Sequence, residues 1–180
     1  MPSTPSANKF RFLMLTGMVL AAAACRLVPH PPNFSPIAAI ALFGGARFAD
    51  KRAALLVPLA AMFLGDLVLG LHGLIPVVYG CFALIVGLGF WLRTNGGAGR
   101  IVLAALTGSV LFFVVTNFAV WAVGGLYPKS AAGLAGCYVA AIPFFKHTLA
   151  GDLVYTFALF GGLRAAEGRL PGLRWSPVAN

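Results

Sequence analysis

The chain has 180 residues, of which 60% are hydrophobic and 9% charged, and a formal net charge of +9. A soluble domain carries about 25% charged residues, so a surface this poor in charge cannot face water all round, and lipid is the natural solvent. The positive balance does not indicate nucleic acid, because the basic residues punctuate apolar stretches as topology signals do and do not gather with aromatics on a polar face.

Residues 1–8 are polar, contain two prolines and are expected to form a disordered tail. A span needs ~20 apolar residues, and six segments qualify or come close. They are residues 10–27, 34–48, 53–71, 74–92, 101–123 and 144–163. The second is short and carries Gly44 and Gly45. Residues 134–145 are apolar but broken by Gly136 and Pro143, and are expected as a re-entrant or surface segment leading into the last helix. The expected fold is therefore all-α. It is a six-helix membrane domain over residues 9–166 with both ends in the cytoplasm, followed by a cytoplasmic tail over 167–180.

The basic residues support that layout. With the N-terminus inside, the cytoplasmic side collects Lys9, Arg11, Arg47, Lys51, Arg52, Arg93, Arg100, Arg164, Arg169 and Arg174. The outer side keeps Arg26, Lys129 and Lys146. This positive-inside bias supports an even number of spans. A signal-peptide reading competes at the N-terminus, where Lys9 and Arg11 precede an apolar run and Ala21-Ala22-Ala23-Ala24-Cys25. The leucine usual three residues before a lipidated cysteine is replaced by Ala22, and cleavage would deprive the second span of its neighbour. The first span is therefore read as retained. Its Gly17 and Ala21 form a small-residue seam, suited either to packing inside the bundle or to docking a partner.

Polar residues within the spans sort by depth. Asp66, Tyr79, Cys81, Asn117 and Asp152 all fall in outer halves, and the outer connections add His30, Asn33, Ser35, His72, Tyr127, Lys129 and Tyr138. Groups of this kind are costly in hydrocarbon and mark function by default. The expectation is one polar cavity near the outer surface, lined by His30, Asn33, Asp66, Tyr79, Cys81, Asn117, Tyr138 and Asp152. The outer connections after the first, third and fifth spans would form its lid, the last of them over residues 124–145. Each residue also has a structural reading. Asp66 would snorkel from its helix end or pair with His72, Asp152 would pair with Lys146 or cap the broken segment, and Asn117 would act as interhelical glue. Cys81 would be a small buried hydrophobe. Cys25 and Cys137 lie near the same surface, and whether they pair stays open.

No P-loop, His-Glu-x-x-His helix or Gly-x-Ser-x-Gly elbow is present. Thr107-Gly108-Ser109 is the nearest serine context, with no histidine placed to activate it. No catalytic residue, metal ligand set or cofactor is assigned.

The segment 31–36, Pro-Pro-Asn-Phe-Ser-Pro, followed by Ala41-Leu42-Phe43-Gly44-Gly45-Ala46, Val57-Pro58-Leu59 and Asp66, resembles a bacterial transport-type family, the domain of unknown function numbered 6580. Residues 116–121, Tyr127-Pro128, Cys137-Tyr138, residues 142–145 and Gly151-Asp152 are similar to its second half. The family in turn resembles the substrate-binding S components of energy-coupling factor (ECF) transporters. That resemblance implies a multi-pass protein of the bacterial inner membrane that captures a vitamin-type molecule from outside. It also implies a coupling subunit and ATPases as partners, unless the protein acts alone. Likeness to cobalamin-specific S components implies a narrower role, in which Cys81 contacts the cobalt.

Three function classes follow. The leading one is membrane transport of a small molecule without covalent chemistry. The second is a scaffold or accessory subunit binding another membrane protein. The third is a membrane enzyme using Asp66, His72 and Asp152 as acid–base groups, which lacks a nucleophile or metal set to complete a mechanism. The lipid bilayer is a partner in all three, and nucleic acid in none.

Overall fold

In the computed structural model, residues 5–94, 96–170 and 173 are described. They form six α-helices and one short 3-10 turn, with no strand among them. The helices are α1 (Pro5–Ala24, continued by the 3-10 turn Cys25–Leu27), α2 (Ile37–Arg47), α3 (Lys51–Leu69), α4 (Ile75–Trp91), α5 (Ala98–Val123) and α6 (Ala131–Arg169).

The helix ends follow ordinary local chemistry. Pro5 opens α1 at the first helical position, where its missing N–H is no loss. This puts residues 5–8, expected in the tail, inside the helix, while residues 1–4 lie outside the described part. Asp50 caps α3, its carboxylate accepting from the backbone N–H of Arg52 and Ala53 at 2.6 and 2.9 Å. Ser130 caps α6 by accepting from Gly133 N at 3.2 Å.

The expected re-entrant segment at residues 134–145 is instead part of α6, one 39-residue helix with Pro143 inside it. Proline removes one backbone donor and crowds the carbonyl four residues back, a local cost that the packing of α6 along α5 offsets. A helix remains the cheapest way to satisfy backbone groups in an apolar setting. At 1.5 Å per residue α6 is about 58 Å long, and its first half lies antiparallel along α5. Tyr138 donates to the Val114 carbonyl at 2.7 Å, and Phe113 meets Phe145 at 4.4 Å between ring centroids.

The centre of the bundle is its shortest helix. α2 packs on α1, α3, α4, α5 and α6, and nine of its eleven residues are buried. Its two glycines make this possible. A Cβ on Gly45 would lie 2.9 Å from Gly89 Cα and would run into the Val86 carbonyl of α4. A Cβ on Gly44 would run into the Pro58 ring and lie 3.0 Å from the Ala54 carbonyl of α3. Small residues thus let three backbones approach closely. Phe43, Ile40 and Leu42 fill the remaining space and are buried.

By length and composition, three helices of the described part can cross a membrane: Ala7–Leu27, Lys51–Leu69 and Ala98–Val123. Ile37–Arg47 and Ile75–Trp91 are shorter apolar helices. The outside of the bundle is strongly apolar, with Leu56, Leu64, Val68, Leu84, Leu103 and Phe157 among its exposed residues. The chain direction alternates, so Arg11, Arg47 and Arg93 gather at one end with Glu167. There Arg93 donates to the carbonyls of Gly45 and Phe48 at 2.8 and 2.7 Å, and Arg11 bonds Glu167 at 2.9 Å.

Candidate functional site

At the opposite end, the polar residues expected to share one cavity divide into two groups. The first is a closed triad. Arg26 bonds Asp66 Oδ1 at 2.7 Å, and the Tyr79 hydroxyl donates to Asp66 Oδ2 at 2.7 Å. Arg26 also donates to the Met62 carbonyl at 3.3 Å. The Arg26 and Asp66 side chains are 12% and 7% exposed. A carboxylate facing a cation and a phenol in this way is internally satisfied and ties together the end of α1, α3 and α4. His72, the partner expected for Asp66, is exposed.

The second group surrounds open space. The connection from α1 to α2 makes a turn in which Phe34 N donates to the Pro31 carbonyl at 3.0 Å. Pro32 occupies its second position, and Asn33 follows with φ 65°, the left-handed conformation that asparagine tolerates and most residues do not. This places Asn33 on the wall of two adjoining cavities. One is about 110 Å³ and is lined by Asn33, Ser35, Phe82, Phe112, Thr148 and Asp152, with Ile37 and Ala38. The other is about 230 Å³ and is lined by Asn33, Thr116, Asn117, Phe113, Phe144 and Phe145, among others. Asn33, Phe112 and Thr148 border both.

Asp152 is 3% exposed and receives the Ser109 hydroxyl at 2.5 Å. Ser109 also lies 3.1 Å from the Ala105 carbonyl, so its one proton is shared between two acceptors. Asp152 enters neither ion pair found among the described residues, which are Arg11–Glu167 and Arg26–Asp66. Lys146, its expected partner, is exposed. The Ser35 hydroxyl on the same wall is buried without a hydrogen-bond partner. Gly151 admits the turn, since a Cβ there would lie 2.9 Å from Ser35 N and 3.2 Å from Phe34 Cα.

Of the eight residues expected together, Asn33, Asn117 and Asp152 therefore meet around these cavities. Asn117 also donates to the Phe113 carbonyl one turn back, at 2.8 Å. Asp66 and Tyr79 belong to the triad. His30 is exposed in the turn, Cys81 is 1% exposed and lies on neither cavity wall, and Tyr138 bonds Val114. Cys25 and Cys137 are free thiols, donating to the carbonyls of Ala21 and Asn117. The expected lid over residues 124–145 is a short pinned connection. Trp121 Nε1 donates to the Pro128 carbonyl at 2.9 Å, Lys129 donates to the carbonyls of Trp121 and Gly124, and α6 starts at Ala131. The α1–α2 turn is the connection that covers the cavities.

The expected cavity set left out Arg26, Ser35 and Ser109, which the sequence had shown in other contexts, and Thr148 was not singled out at all. Ser109 carried a usable signal, being a polar residue halfway along an apolar helix. Arg26 did too, as a cation on the side otherwise poor in them.

Fold and site together define, among the described residues, an all-helical bundle with an apolar exterior and a cavity pair of mainly apolar walls carrying a few polar side chains, at the end opposite its basic cluster. The DUF6580 model, described as a family of unknown function, matches residues 6–173, and the chain belongs to that family. No curated protein and no solved structure matches.

Proposed function

We propose that this chain is a multi-pass protein of the bacterial inner membrane, with its basic end in the cytoplasm. It binds a small molecule from outside in the cavities beneath the α1–α2 turn, for uptake and without covalent chemistry, in the manner of an S component. The supporting observation is the buried Asp152 carboxylate beside open space, bonded to a neutral serine and flanked by Phe82, Phe112 and the unpartnered Ser35 hydroxyl. A buried carboxylate is stable only when its lone pairs are met. A ligand presenting an N–H donor or a cation would meet them, with the phenylalanine rings against its body.

The cavity sizes favour a compact ligand, at or below the low end of the ~300–1,000 Å³ usual for ligand sites. Cys81 is off both walls, so the reading includes no thiolate contact to cobalt. On α1, Gly17 has no atom within 4 Å of a notional Cβ, and Ala21 is exposed. In this reading that seam is where a coupling subunit with its ATPases docks.

The test compares wild type with Asp152→Asn, both purified from membranes in mild detergent, by mass spectrometry of the co-purifying small molecules. The expected result is a compound enriched at least tenfold with wild type and lost from folded Asp152→Asn. Identical small-molecule profiles from the two proteins would overturn the assignment.

A further inference from the structure

A further cavity lies at the basic end, outside the site described above. It is about 300 Å³ and sits between the end of α2, the start of α5 and the last turns of α6. Its polar wall consists of Arg47, Arg164, Glu167 and Thr156, and its apolar wall includes Ile101 and Phe157. Thr156 is 1% exposed, and its hydroxyl has no hydrogen-bond partner. The Arg47 guanidinium stacks on Phe160, 5.1 Å from the ring centroid, and its Nε is buried and unpartnered. Glu167 is bonded to Arg11, and Arg164 makes no ion pair among the described residues. The cavity thus offers two guanidinium groups and a hydroxyl donor beside an apolar wall. Phe157 and Gly161 on its rim are exposed on the outer surface of α6, so it opens sideways from the bundle.

We propose that this cavity binds a net-anionic organic phosphate, with the anionic head on Arg47, Arg164 and the Thr156 hydroxyl and the apolar chain leaving past Phe157. Planar guanidinium forks match phosphate oxygens geometrically, and basic pockets between helices on the cytoplasmic side are suited to anionic headgroups. The inference rests on the membrane reading of the chain but not on transport, because no residue of this cavity lines the outer pair. The phosphate can come from a bilayer lipid or from a soluble organic phosphate, and the test separates them.

The full chain, purified in detergent, is titrated with phosphatidylglycerol, with phosphatidylcholine and with hexyl phosphate, and the one-to-one adduct is quantified by native mass spectrometry. Phosphatidylglycerol is expected to exceed phosphatidylcholine. Arg164→Gln is expected to lower its occupancy roughly fivefold, the factor of one basic side chain near an anionic headgroup. Thr156→Val should lower it less, and Arg169→Gln, outside the cavity wall, should leave it unchanged. Displacement of the lipid by hexyl phosphate with the same Arg164 dependence assigns a soluble phosphate, and persistence of the lipid assigns the bilayer. Equal occupancy by the two lipids, or phosphatidylglycerol binding unmoved by both Arg164→Gln and Thr156→Val, overturns the proposal. Loss of the outer-site ligand in Asp152→Asn protein has no bearing on these readouts.

Discussion

Replacing Asp66 by asparagine tests whether the Arg26–Asp66–Tyr79 triad is structural. The substitution keeps the shape and removes the charge. Arg26, 12% exposed, then loses its one carboxylate partner among the described residues, which stood at 2.7 Å, and the Tyr79 hydroxyl loses a charged acceptor at the same distance. Removing one member of a buried ion pair costs about 3–5 kcal/mol. Because Arg26 keeps its contact to the Met62 carbonyl and some exposure, a value near 3 kcal/mol is expected. Tyr79→Phe removes only an interhelical hydrogen bond, for which about 0.6 kcal/mol is the average and about 1.7 the maximum seen. The double variant Arg26→Gln/Asp66→Asn leaves no orphaned charge and should be more stable than Asp66→Asn alone. Reversible denaturation in mixed micelles supplies all three values, and ligand retention is measured alongside. Asp66 lines neither outer cavity, so retention should match wild type once the protein is folded. A loss below about 1 kcal/mol in Asp66→Asn would contradict the burial argument. So would a double variant no more stable than the single one. Loss of ligand without loss of stability would return Asp66 to the binding site.

The glycine crossing predicts opposite outcomes on two helices. Gly45→Ala drives a methyl into the Val86 carbonyl and should cost about 1–3 kcal/mol as overpacking, whereas Gly17→Ala enters open space and should gain up to about 1 kcal/mol of helix propensity; both are read by thermal unfolding. Asp50 is held below the usual carboxylate value by the N–H groups of Ala53 and Arg52. The charged part of its contribution to stability is therefore full above the ordinary carboxylate pKa and lost as pH falls through the lowered one. Asp50→Ala should lower the melting temperature more near neutral pH than in strong acid, where the protonated side chain keeps only a neutral acceptor, while Asp50→Asn keeps that neutral cap at all pH values. In a background with Cys25, Cys81 and Cys137 replaced, Thr94→Cys should be labelled from the cytoplasmic side and Lys129→Cys from the outer side. Labelling of both from one side would refute the proposed orientation.

The sequence by itself determined where the helices are. Five of the six expected segments match α1 to α5 within a few residues, because proline, glycine and charged residues interrupt long apolar runs, and an apolar chain has few alternatives to helix between such interruptions. Asp66, Tyr79, Asn117 and Asp152 were also readable as polar interruptions of apolar runs, without reference to their partners. The sequence misled at Pro143, where a local rule suggested a break and the packing of α6 along α5 kept the helix continuous. Tertiary structure alone decided who meets whom. Asp66 finds Arg26 forty positions away rather than His72 six away, and Asp152 finds Ser109 rather than Lys146. Separation along the chain says nothing about which helix faces cross. That choice follows from how closely backbones can approach, and here Gly44, Gly45 and Gly89 set it by drawing α3 and α4 onto the short central α2. With α2 at the centre, the turn before it lies over α6, and Asn33 and Asp152 come to line one cavity while Asp66 is closed off in another corner of the same polar end.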